Sequence, residues 1–102
     1  MYRQEMLPKA VSEQKRYHFD FTGDVDASIT LGVVTVTCTV FSGDDGSPSS
    51  MLSGVGVVDG LVVGQVIRNG VVGNVYEVKC RVATSDGQIL VKSGYLAVVP
   101  DL

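Results

Sequence analysis

Very few positions in this chain have side chains that could do chemistry. His18 is the only histidine, so any serine or cysteine mechanism with an imidazole base must run through it. It lies in Tyr17-His18-Phe19-Asp20-Phe21-Thr22, where alternation sets the three rings on one face and turns His18 toward solvent or an interface. No orienting partner stands near it in sequence, and it reads as a surface histidine. Cys38 and Cys80 are the only cysteines, and each falls on the apolar side of an alternating stretch. Their strands are the second and the second-to-last along the chain, so a disulfide between them is conceivable. The lack of tryptophan to pack on such a bridge, and of an apolar leader, favours two buried free thiols. Two cysteines and one histidine so spaced are not a metal ligand set, and no cofactor is expected.

The carboxylates offer little more. Asp44-Asp45, Asp59 and Asp86 sit in turn sequences, where aspartate serves the backbone. The glycines separate apolar stretches and do not open a helix, so no phosphate-cradling loop is expected. No catalytic residue emerges, and the chain is read as a non-enzyme.

The elements that must position these residues are strands. A length of 102 residues suits one domain, and 45% hydrophobic against 19% charged residues suits a folded one. Twenty valines against seven leucines and four alanines favour pleated surfaces over helices. Alternation predicts strands over 16–22, 28–41, 51–58, 61–67, 75–83 and 88–99. Val34, Val36, Cys38 and Val40 share one face of the second, and Tyr76, Val78, Cys80 and Val82 one face of the fifth. Asp59-Gly60 predicts a type I′ hairpin, Asn69-Gly70 a further turn, and Thr84-Ser85-Asp86-Gly87 a closing hairpin. Residues 42–50 are read as a loop. Short strands with frequent turns make an antiparallel β-sandwich over 16–102. Residues 1–15 lack a clean period, and Pro8 holds Leu7 extended, so they are read as an N-terminal arm.

Net charge is −3, but residues 1–18 carry four cations against two anions and the rest four against nine. A basic arm on an acidic body does not suit nucleic acid. No apolar run is long enough to span a bilayer, and no secretory leader is apparent, so synthesis in the cytoplasm and no membrane partner are expected.

Gly73-Asn74-Val75-Tyr76-Glu77-Val78 resembles the entry to the penultimate strand of immunoglobulin-like and fibronectin-like domains, where a tyrosine hydroxyl bonds back to the chain upstream. The fold class is thus all-β, an immunoglobulin-like antiparallel sandwich with an extended arm, with Tyr76, Cys38 and Cys80 as structural residues. More specifically, Leu7-Pro8-Lys9-Ala10 followed by Tyr17-His18-Phe19-Asp20-Phe21-Thr22, with the Gly73 to Val78 stretch and Thr84-Ser85-Asp86-Gly87 further on, is similar to the fiber-tail adaptor proteins of short-tailed and related bacteriophages.

That resemblance implies a virion structural protein, assembled in the host cytoplasm and present in several copies around the tail. Its partners would be the tail fibre and the tail tube or connector. On this reading the arm orders only on assembly, docking on a neighbouring subunit through Met6, Leu7, Pro8 and Lys9 with apolar anchors and charge pairs. The competing reading is an immunoglobulin-like recognition module, a sugar-binding accessory or adhesin domain. It would draw on the aromatics left over by the inward faces, Tyr2, Phe41 and Tyr95.

Overall fold

Alternation of apolar and polar side chains lets a pleated strand bury one face and solvate the other. The computed structural model, which describes residues 2–101 and only the backbone of Tyr2–Glu5, converts that pattern into eight strands. They are β1 (Tyr2–Glu5), β2 (Lys9–Ala10), β3 (Lys15–Asp20), β4 (Leu31–Ser42), β5 (Leu52–Asp59), β6 (Val62–Ile67), β7 (Val75–Thr84) and β8 (Ile89–Val99), with a single 3₁₀ turn at Pro48–Met51. No described helix is long and apolar enough to cross a membrane.

The strands form two sheets. The larger runs β1-β8-β7-β4, with β2 also pairing β8, and the smaller runs β3-β6-β5. Counting β3 to β8 as strands B to G, B, E and D fall in one sheet and C, F and G in the other, which is the immunoglobulin-like arrangement. Between the sheets lies one core: Phe19 and Phe21 from the β3 side meet Tyr76, Val78, Cys80 and Val82 of β7 and Leu96 and Val98 of β8. Parity holds at His18, which is exposed between the buried Tyr17 and Phe19.

Residues 1–15, expected as an arm, are extended over their described part and lie against the sandwich. Tyr2–Glu5 pairs parallel to Lys92–Tyr95, and Lys9–Ala10 parallel to Val98–Val99. After β2 the chain turns at Val11–Gln14 and enters the other sheet as β3, antiparallel to β6.

The expectation of two buried free thiols holds, and two other local expectations change. The cysteines do not face each other across the sandwich, because β4 and β7 are neighbours in one sheet. Cys38 stands opposite Val78 and Cys80 opposite Val36, which makes the thiols diagonal neighbours on the inner face. Diagonal neighbours have Cα atoms about 7–8 Å apart, beyond the usual Cα separation of a bridge. Both are free and buried, and burial pushes the Cys38 thiol up to about 11 and that of Cys80 to about 12. The hairpin between β5 and β6 turns on Gly60-Leu61, since Asp59 pairs with Val62. Gly60 has φ 61° and Leu61 is not positive, the combination of a type II′ turn. The segment before β5 contains the 3₁₀ turn, which buries Met51 completely. Gly70 must be glycine there: its φ is 99°, and a Cβ would come within 2.8 Å of Val98 Cγ2 and 2.9 Å of Met51 Cε.

A buried lysine ties the sheets together. Lys92 of β8 donates to the Asp20 carbonyl of β3, pairs with Asp24 Oδ2 at 2.8 Å and lies 5.2 Å from the Phe21 ring centre.

Candidate docking surface

Met6, Leu7 and Pro8 fall in the interval where neither β1 nor β2 pairs with β8. Three arm residues span the distance covered on β8 by Leu96 and Ala97, so the arm bows outward. Met6 turns into the core, whereas Leu7 is 73% exposed and Pro8 is exposed. The bow is pinned from below, where the Tyr17 hydroxyl donates to the Leu7 carbonyl at 2.8 Å. Burial, helped by the Glu13 carboxylate, pushes the Tyr17 phenol up to about 12, so it keeps its donor at neutral pH.

Lys9 is fully buried, and its place is explained by the turn that follows. Its Nζ donates to the carbonyls of Ala10 (2.8 Å), Val11 (3.1 Å) and Glu13 (2.8 Å). An ammonium has three donors, and all are used. Burial lowers the pKa of Lys9, and the nearby Glu13 and Asp101 carboxylates act in the opposite direction. Glu13 accepts from the Ala10 N–H at 2.8 Å, and Asp101 accepts from the Ser12 N–H at 3.1 Å and from its hydroxyl. These bonds to Ser12 hold the Asp101 carboxyl below its ordinary range. Lys9 thus fixes the turn from inside, and Asp101 fixes it from outside.

The outward bow opens a groove of about 560 Å³ lined by Met6, Leu7, Pro8, Val75, Tyr95 and Ala97. Val75, Tyr95 and Ala97 share the outer face of the larger sheet, because Val75 pairs with Ala97 and Glu77 with Tyr95. Phe41, at the end of β4, extends the apolar surface. It is 60% exposed and stacks on Tyr95 with ring centres 4.2 Å apart and planes at 26°. Leu7 and Phe41, 34 positions apart in the chain, therefore flank one apolar depression.

Val75, which lines the groove, is held from the inner side through its neighbour Tyr76. This side chain is fully buried, and its hydroxyl accepts from the Val71 N–H at 2.9 Å and from Asn74 Nδ2 at 3.3 Å and donates to Asp45 Oδ2 at 2.8 Å. Asn74 Nδ2 also donates to the Asp44 carbonyl at 3.1 Å. The crossing from β6 to β7 is thereby joined to the loop after Phe41, and Val75 is placed between them. Burial and the bond to Asp45 raise the Tyr76 pKa.

Of the four arm residues singled out from the sequence, Met6, Leu7 and Pro8 line the groove and Lys9 lies beneath it. Val75 and Ala97 were not foreseen. Phe41 was noted only as an unassigned aromatic, although its position on the threonine side of β4 marks it as outward-facing. The residues that could do chemistry are dispersed. His18 lies on the outer face of the smaller sheet beside Arg16 and Gly64, and both thiols are inside. Asp45 and Asp86 serve turns, accepting from the Ser47 N–H and the Thr84 hydroxyl. No group of three His, Cys, Asp or Glu side chains gathers as a metal site among the described residues.

Fold and surface together define an immunoglobulin-like β-sandwich that carries an apolar groove lined in part by its own arm. The chain belongs to the podophage GP4 fiber-tail adaptor protein gp77 family, whose model matches residues 9–97. It is thus a phage tail structural protein of adaptor type. No curated protein matches it.

Proposed function

We propose that this protein joins tail fibres to the tail tube or connector of a podophage, acting without catalysis and in several copies around the tail after assembly in the host cytoplasm. The role rests on the family match over residues 9–97. The contact surface is the arm groove, and its occupant is an apolar segment of the tail-fibre protein. Two large apolar side chains, Leu7 and Phe41, stand exposed at its margins, a costly arrangement unless a partner covers them. The lining is apolar, so the fibre contributes an aliphatic or aromatic anchor, with polar contacts at the rim.

Leu7→Asp tests this. The Leu7 side chain is mostly exposed and the internal bond from Tyr17 goes to its backbone carbonyl, so the variant keeps its melting temperature. Expected is loss of co-purification with the fibre protein and of incorporation into particles, read by peptide mass spectrometry of purified virions. Wild-type incorporation of a folded Leu7→Asp protein would refute the groove as the contact.

One observation supports the recognition-module reading: the exposed Phe41 ring is the kind of platform on which sugars stack. Competable binding on a glycan array, lost in Phe41→Ser, would favour that reading over the tail contact.

A further inference from the structure

Sheet edges are normally guarded against pairing with another chain by charge, proline, irregularity or cover. Three edges of this sandwich are guarded in these ways. The β1/β2 edge is interrupted between Glu5 and Lys9 and contains Pro8. The edge strand β3 carries Lys15, Arg16 and Asp20. Pairing along β5 is irregular between Ser53 and Val57. β4 differs from all three. Among the described residues it pairs on one side only, with β7, and its twelve residues, LGVVTVTCTVFS, include neither a charge nor a proline. Its two register shifts lie toward the ends and leave Val34 to Val40 regular. β5 approaches from the inner side, where Gly56 packs under Val34 and Val36.

We infer that β4 is a self-pairing edge, joining a second copy of this chain antiparallel about a two-fold axis at Thr37. Thr37 is the midpoint of the regular stretch. A two-fold there sets Thr37 against its own mate, Thr35 against Thr39, Val36 against Cys38 and Val34 against Val40. Every pair then matches in kind. Threonines, exposed in the single chain, meet threonines on the outer face, and apolar side chains meet on the inner one. A charged edge would oppose itself in this arrangement, and β4 has no charge to do so. The pairing is isologous and closes at two copies, joining the two larger sheets into one. It does not depend on the tail assignment.

The test uses the full chain and Thr37→Glu. Thr37 stands opposite Lys79 on β7, so a glutamate gains an attractive neighbour within one copy, and in the dimer it meets its own like-charged mate. Expected is a light-scattering mass twice that of the chain for wild type at high micromolar concentration. Thr37→Glu should give the single-chain mass with an unchanged far-ultraviolet spectrum and a melting temperature that, unlike that of wild type, does not rise with protein concentration. A wild-type protein of single-chain mass throughout that range overturns the inference, and so does a Thr37→Glu protein that still doubles.

Discussion

Tyr76→Phe removes one oxygen and leaves the ring in place. In the wild type that oxygen serves three partners: the Val71 N–H at 2.9 Å, Asn74 Nδ2 at 3.3 Å and Asp45 Oδ2 at 2.8 Å. The bond to Asn74 adds little because, at 3.3 Å, it is longer than an ordinary N–H···O bond. A neutral bond contributes about 0.5–1.5 kcal/mol net and one to a charged group about 1.5–3. Asp45 is only half-buried and regains water, which places its share at the lower end. The expected loss is about 2–3 kcal/mol, roughly 10–20 °C in melting temperature for a domain of this size.

The assay is urea unfolding of wild type, Tyr76→Phe, Asp45→Ala and the double variant. The midpoint should fall with the slope unchanged. The double variant should lose less than the sum of the singles, because both remove the same bond. A Tyr76→Phe loss under about 0.5 kcal/mol, or strict additivity, would refute the account of this corner as a joined hydrogen-bond network. Because Val75 follows directly from this corner, the same variant should also weaken whatever occupies the groove.

Two further outcomes are expected. Burial raises the folded-state pKa of Tyr17 to about 12 from an ordinary 10.0, so its stabilising contribution is complete below pH 10 and lost as pH rises toward 12. Stability measured across that window should fall, and less steeply in Tyr17→Phe; an equal slope would exclude Tyr17 as a source, the remainder belonging in part to Tyr76, whose pKa is raised too. Cys38 and Cys80, pushed up to about 11 and 12, should resist a thiol reagent at pH 8 and both react once urea unfolds the chain. Reaction of either in the folded protein at the rate of free cysteine would show that the core opens.

Much of this architecture is written locally. Strand parity depends only on which neighbours alternate. That is why the inward faces of Tyr17, Phe19 and Phe21 and of Tyr76, Val78, Cys80 and Val82, and the outward His18, were legible from the residues. The closing hairpin was legible for the same reason, since its signals sit within four consecutive positions. The turn at Gly60 was off by one residue because Asp59-Gly60 and Gly60-Leu61 both place a glycine within reach of positive φ, and only the pairing of Asp59 with Val62 selects between them.

Parity says which way a side chain points, but not which strand lies beside it. The sequence by itself therefore determined a valine-rich sandwich, its inner and outer faces and most of its turns. Only the tertiary structure decided that β4 and β7 are neighbours, which makes the thiols diagonal and unbridged, and that residues 2–5 and 9–10 run parallel to β8. It alone decided the groove, because Leu7, Phe41, Val75 and Tyr95 belong to four segments with no shared local pattern. Long-range pairing brings them together, and its free energy comes from burying a common core, a property of the whole chain that no short window contains.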